Sequence, residues 1–111
     1  MSYFMKGTDI YLTRGDSLLL QLDLTRNGEE YIPEEGCVVR FAMKRKYSDS
    51  DEKVILLKNI PIDTMILEIT PEDTKGLSMN KSFVYDIELT DADGYVDTFL
   101  KGHLIIKEEV I

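Results

Sequence analysis

The chain has 111 residues, 43% hydrophobic and 31% charged, and a net charge of −8 at neutral pH. That length makes one domain spanning residues 1–111 rather than two, and it is enough to enclose a real core. The acidic balance repels phosphate backbones and anionic headgroups, so no nucleic acid and no membrane is expected as a partner.

The N-terminal stretch Met1 to Lys6 has no charged n-region followed by an apolar core, so it does not read as a signal peptide. No apolar run approaches the roughly 20 residues that span a bilayer. The expectation is a chain neither secreted nor membrane-anchored. A short strand is predicted at Ile10–Thr13, followed by a bend at Arg14-Gly15-Asp16. From Ser17 the hydrophobic period is two: Leu18, Leu20, Leu22 and Leu24 alternate with Ser17, Leu19, Gln21 and Asp23. That is the pattern of a strand with one face in a core. Asn27-Gly28 is a strong hairpin signal, because both residues tolerate the positive φ of a type I′ turn.

Strands follow at Cys37–Arg45, Val54–Asn59 and Met65–Ile69, with Pro33 and Pro61 placed at strand edges where a missing N–H costs nothing. Thr70 with Pro71 and Asp73 spells a capped helical turn, which Lys75-Gly76 stops. The remaining chain returns to period two. Phe83, Tyr85, Ile87 and Leu89 share one face; Val96, Thr98, Leu100, Gly102, Leu104 and Ile106 share another. Asp91-Ala92-Asp93-Gly94 between them reads as a type I turn with glycine in the left-handed position. About seven short strands with hairpin turns predict an all-β fold, an immunoglobulin-like β-sandwich, with a small β-barrel as the alternative closure. The expected core is Leu18, Leu20, Leu22, Phe41, Met43, Phe83, Tyr85, Ile87, Leu89, Leu100 and Leu104.

Residues that could carry chemistry are sparse. Cys37 is the sole cysteine, so no internal disulfide forms, and its apolar neighbours Val38 and Val39 suggest a packed thiol. His103 is the sole histidine and points away from the Leu104 face. There is no Gly-rich phosphate loop, no His-Glu-x-x-His and no Cys-x-x-Cys. Asp91 could open a calcium loop, but the twelfth position, where a bidentate Glu is required, is Gly102. Asp49-Ser50-Asp51-Glu52 reads as an exposed loop, and Lys44-Arg45-Lys46 as a solvated strand end. The Arg14-Gly15-Asp16 tripeptide reads as a bend rather than an adhesion motif. No catalytic residue, no cofactor and no metal are therefore expected. A carbohydrate- or ligand-binding sandwich is the alternative, with Tyr3, Tyr11, Tyr31, Tyr47 and Tyr95 as the available rings.

The chain ends are apolar for termini: Tyr3, Phe4 and Met5 at one, Val110 and Ile111 at the other. Two arrangements account for this. Either the ends complete edge strands of their own sandwich, or one lies along a neighbouring subunit and extends an open sheet edge. These five residues are the candidate partner-binding set.

The order of these features resembles a known family. The Thr13 to Ser17 bend leads into the leucine-rich strand, then Asn27-Gly28-Glu29-Glu30-Tyr31-Ile32 and a strand ending Val39-Arg40-Phe41-Ala42-Met43-Lys44. Phe83 to Thr90, the Asp91 to Gly94 turn and the closing Gly102-His103-Leu104-Ile105-Ile106 complete it. This is similar to the small immunoglobulin-like β-sandwich proteins of tailed bacteriophages and prophages, and to the N-terminal module of phage baseplate upper proteins. The resemblance runs over roughly residues 8 to 107 and departs at Asn80-Lys81-Ser82, where relatives often place glycine. It implies a non-enzymatic structural module of the virion's tail or baseplate, assembled in the bacterial host cytoplasm. Its implied partners are other phage structural proteins, including copies of itself as an oligomer.

Overall fold

The computed structural model describes residues 3–78 and 80–108, with the side chains of residues 3 and 4 left aside. The chain is all-β. Among the described residues ten strands are laid down in order: β1 (Tyr3–Lys6), β2 (Asp9–Thr13), β3 (Leu18–Gln21), β4 (Leu24–Arg26), β5 (Glu29–Tyr31), β6 (Val38–Lys44), β7 (Leu56–Ile60), β8 (Ile66–Ile69), β9 (Lys81–Thr90) and β10 (Val96–Lys107). The helical elements are a 3₁₀ turn at Asp51–Lys53 and the short α1 (Pro71–Lys75).

Six strands form one sheet in the order β1-β2-β10-β9-β6-β7. Its pairs are antiparallel except β2 with β10, which run parallel, Ile10 beside Leu104 and Leu12 beside Ile106. A second layer is the antiparallel pair β3-β8, and β4-β5 is a separate hairpin. The inner faces of both layers meet in one apolar cluster. Ile10, Leu12, Phe41, Met43, Tyr85, Ile87, Leu104 and Ile106 come from the large sheet, and Leu18, Leu67 and Ile69 from the small one. Two sheets closed over one core make a sandwich. Within it the Phe41 and Tyr85 rings stack with centroids 5.3 Å apart.

Nine of the eleven expected core residues are buried; Leu20 and Leu100 are partly buried and pack against the cluster. Two departures from the expected strands have physical causes. The run from Leu18 to Leu24 is not one strand. It stops at Gln21, whose Nε2 donates to Thr64 O at 2.9 Å, and the Leu22 N–H donates to Met65 O at 2.8 Å. Those bonds close the β3–β8 ladder, and the chain then turns into the β4–β5 hairpin. In β10 the register against β9 shifts between Thr98 and Leu100. The extra residue, Phe99, reverses parity, so Val96 and Thr98 face outward while Leu104 and Ile106 face in.

The turns follow their residue chemistry. Asn27 and Gly28 both take positive φ, 56° and 80°, as a type I′ hairpin requires. The helical turn α1 carries its capping pair: the Thr70 N–H donates to Asp73 Oδ2 at 2.8 Å. Buried Thr74 then accepts the Gly15 N–H on Oγ1 at 2.8 Å, and Arg14 Nη1 donates to Leu77 O at 3.1 Å. The Arg14-Gly15-Asp16 bend is thus tied to α1 and half-buried.

Candidate partner-binding edge

Strand β1 is the outermost strand of the six-stranded sheet. It is joined to β2 by the two-residue turn Gly7-Thr8, with Gly7 at φ 63°. A tight turn with glycine at its first central position matches the right-handed twist of the flanking strands. Tyr3, Phe4, Met5 and Lys6 pair with Leu12, Tyr11, Ile10 and Asp9 of the same chain. The N-terminal apolar residues therefore complete an edge strand of their own sandwich, the first of the two arrangements considered. Val110 and Ile111 lie outside the described residues.

Hydrogen bonding alternates along an antiparallel pair. A two-residue turn makes Lys6 and Asp9 the closing bonded pair, so Phe4 bonds to Tyr11 next. Met5, between them, directs its N–H and C=O away from β2, toward the open side. The residue is 37% exposed. Among the described residues no strand covers that side of β1.

The turn is held from beneath. Tyr85 Oη donates to Thr8 O at 2.5 Å. Burial pushes this phenol up to about 12, with lesser contributions from Asp9 and Tyr47, so it stays a neutral donor. Gly102 lies under the same carbonyl, and a Cβ there would collide with the Thr8 backbone. Asp9 Oδ1 accepts the His103 N–H at 3.0 Å and lies 3.4 Å from His103 Nδ1, which ties the start of β2 to β10. Neither Gly102 nor Tyr85 stood out in sequence as a support of the N-terminal hairpin. The available signal was a glycine inside an otherwise alternating strand, which marks close approach of another backbone.

The remaining candidates are spread over the molecule. Asp91 Oδ1 accepts the N–H groups of Asp93 at 2.9 Å and Tyr95 at 3.0 Å, so its carboxylate closes its own turn. Asp51 is held below the usual carboxylate range by its hydrogen bond and charge contact with Lys44 at 2.9 Å. Burial alone would raise Asp73, yet Lys58 Nζ at 2.6 Å and the Thr70 N–H bring it below the ordinary value. Both shifts belong to pairs that fasten short helical turns to strands. Among the described residues no group of three or more His, Cys, Asp or Glu side chains is placed to hold a metal. No described helix is long and apolar enough to cross a membrane. The Tyr3 ring lies outside the described side chains, and Tyr31, Tyr47 and Tyr95 stand apart from one another. Tyr31 is half-buried under Arg26, whose guanidinium lies 4.0 Å above the ring; Tyr47 reaches toward Gly102 O at 3.4 Å; Tyr95 stands in the β9–β10 turn.

The hairpin β4–β5 leans toward the ends of β9 and β10 and leaves a cleft of roughly 180 Å³ open to solvent. Leu22, Leu24, Tyr31, Leu89, Phe99 and Leu100 supply its apolar walls. Asp23, Arg26 and Asp97 also border it. Sequence reading missed this cleft, because the bulge that turns Phe99 toward it is not visible in the alternation. Compared with known proteins, the chain matches no family model and no curated protein.

Proposed function

We propose that this chain is a non-enzymatic structural module of a tailed phage or prophage virion, in the tail or baseplate region, and that it works by protein–protein contact. The observation that carries the reading is the open edge of β1, where Met5 presents a backbone donor and acceptor that its own sheet does not use. An unpaired strand edge is a template for another strand, and its partner gains the same hydrogen bonds in return. The family resemblance of the sequence points the same way, to subunits joined in a particle. The contact is made by other structural subunits, copies of this chain among them.

Immunogold labelling of tailed particles purified from the host tests the reading. Label is expected on the tail or its distal end, at a fixed position from particle to particle. A chain found only in the soluble fraction, with purified particles unlabelled, contradicts it.

A further inference from the structure

The cleft between the β4–β5 hairpin and the β9–β10 end has the features of a docking site in its own right. Its walls mix apolar and polar side chains: half-buried Phe99 and Leu100 face it from β10, Leu24 and Tyr31 face it from the hairpin, and Asp23, Thr25, Arg26 and Asp97 complete it. At roughly 180 Å³ it is smaller than the ~300–1,000 Å³ usual for small-molecule sites, and it suits one or two side chains of a partner.

The electrostatics around it are one-sided. The segments 22–37, 61–65 and 91–97 all lie at this end of the sandwich. Val38, Thr90 and Val96 are paired in one row there, Leu22 bonds to Met65, and Gly36 abuts Ala92. These segments hold Asp23, Glu29, Glu30, Glu34, Glu35, Asp63, Asp91, Asp93 and Asp97, against the single basic residue Arg26. The rest of the chain carries 12 acidic and 12 basic residues, so the whole net charge of −8 sits at the cleft end. Arg26 is already engaged over Tyr31. Exposed Asp23 and Asp97 border the apolar walls directly.

We infer that this cleft receives a basic segment of a partner protein, with the aliphatic stems of Lys or Arg side chains on the Leu24, Leu89 and Phe99 surfaces and their charged heads at Asp23 and Asp97. Long cationic side chains are amphipathic in this sense: the stem covers apolar surface while the head stays in contact with water and carboxylates. The surrounding field steers such a segment toward this end before contact is made. The inference does not depend on pairing at β1, because the cleft is built by β4, β5, β9 and β10.

Fluorescence anisotropy with short labelled peptides on the full chain tests it. An alternating leucine–lysine hexapeptide is expected to bind, and an oligolysine of equal charge and a leucine–glutamate hexapeptide to bind much more weakly. The double substitution Asp23→Asn with Asp97→Asn should weaken binding about five- to tenfold, from two rim charges of modest strength each. The control Asp49→Asn with Glu52→Gln removes the same charge at the opposite end and should leave binding unchanged. Melting curves of all three proteins confirm folding. No binding of the leucine–lysine peptide overturns the inference. So does equal loss in both double variants or equal binding of oligolysine, since either makes the attraction a matter of net charge alone. Equal binding of the leucine–glutamate peptide overturns it by making the contact purely apolar.

Discussion

Tyr85 shows how one residue serves both core and edge. Its ring stacks on Phe41 inside the sandwich, while its hydroxyl reaches the Thr8 carbonyl at the turn that sets β1. Replacing Tyr85 by Phe keeps the ring and removes the donor, and the expected cost is about 1 kcal/mol. The pH dependence follows from the raised pKa. A phenol that titrates near 10 when unfolded and about 12 when folded contributes stability that is complete below pH 10 and lost as pH rises toward 12. The gap in Tm between the native chain and Tyr85→Phe should therefore be constant from pH 7 to about 9.5 and close above pH 10. A gap that persists to pH 12 would mean that the hydroxyl is not enclosed. Alternation in the sequence identified Tyr85 as core but could not show its hydroxyl contact, because Thr8 lies 77 positions away along the chain.

At the scale of elements, the legible parts were those fixed by local chemistry. The Asn27-Gly28 turn, the Thr70–Asp73 capping pair and the Asp91–Gly94 turn form as their residues dictate. The faces of β6 and β9 follow their alternation as well. What failed to show was decided by neighbours. Gln21 is diverted by carbonyls of the 61–65 loop, and the Phe99 bulge is a mismatch between β9 and β10 that neither strand reveals alone. The candidate edge was legible as apolar termini, but its partner strand was not, since hairpin and neighbour pairing leave the same mark on the sequence. Register in β9 is the element-level claim most open to measurement. Phe83 is 3% exposed, opposite Leu104 in the central pair of the sheet. Phe83→Ala should cost about 3–5 kcal/mol in chemical denaturation, the usual range for a fully enclosed ring. A loss below about 1 kcal/mol would place that side chain outside the core.

On the scale of the whole molecule, the two proposed contact sites occupy different regions. The open strand edge lies along β1, and the acidic cleft lies at the end formed by the β4–β5 hairpin and the β9–β10 turn. Under the proposed function, the edge would serve backbone pairing and the charged end side-chain docking, which gives the chain two separate places to be joined. Edge pairing is the part on which the proposed function rests. Met5→Pro removes the outward N–H, whereas the bonds of Phe4 and Lys6 to β2 remain, so the hairpin should survive. Sedimentation velocity over a concentration series, with Tm measured alongside, compares the two chains. The native chain is expected to form larger species as concentration rises, and Met5→Pro to stay monomeric with nearly the same Tm. A native chain that remains monomeric at the highest concentration, or a Met5→Pro chain that associates as the native one does, contradicts pairing through this edge.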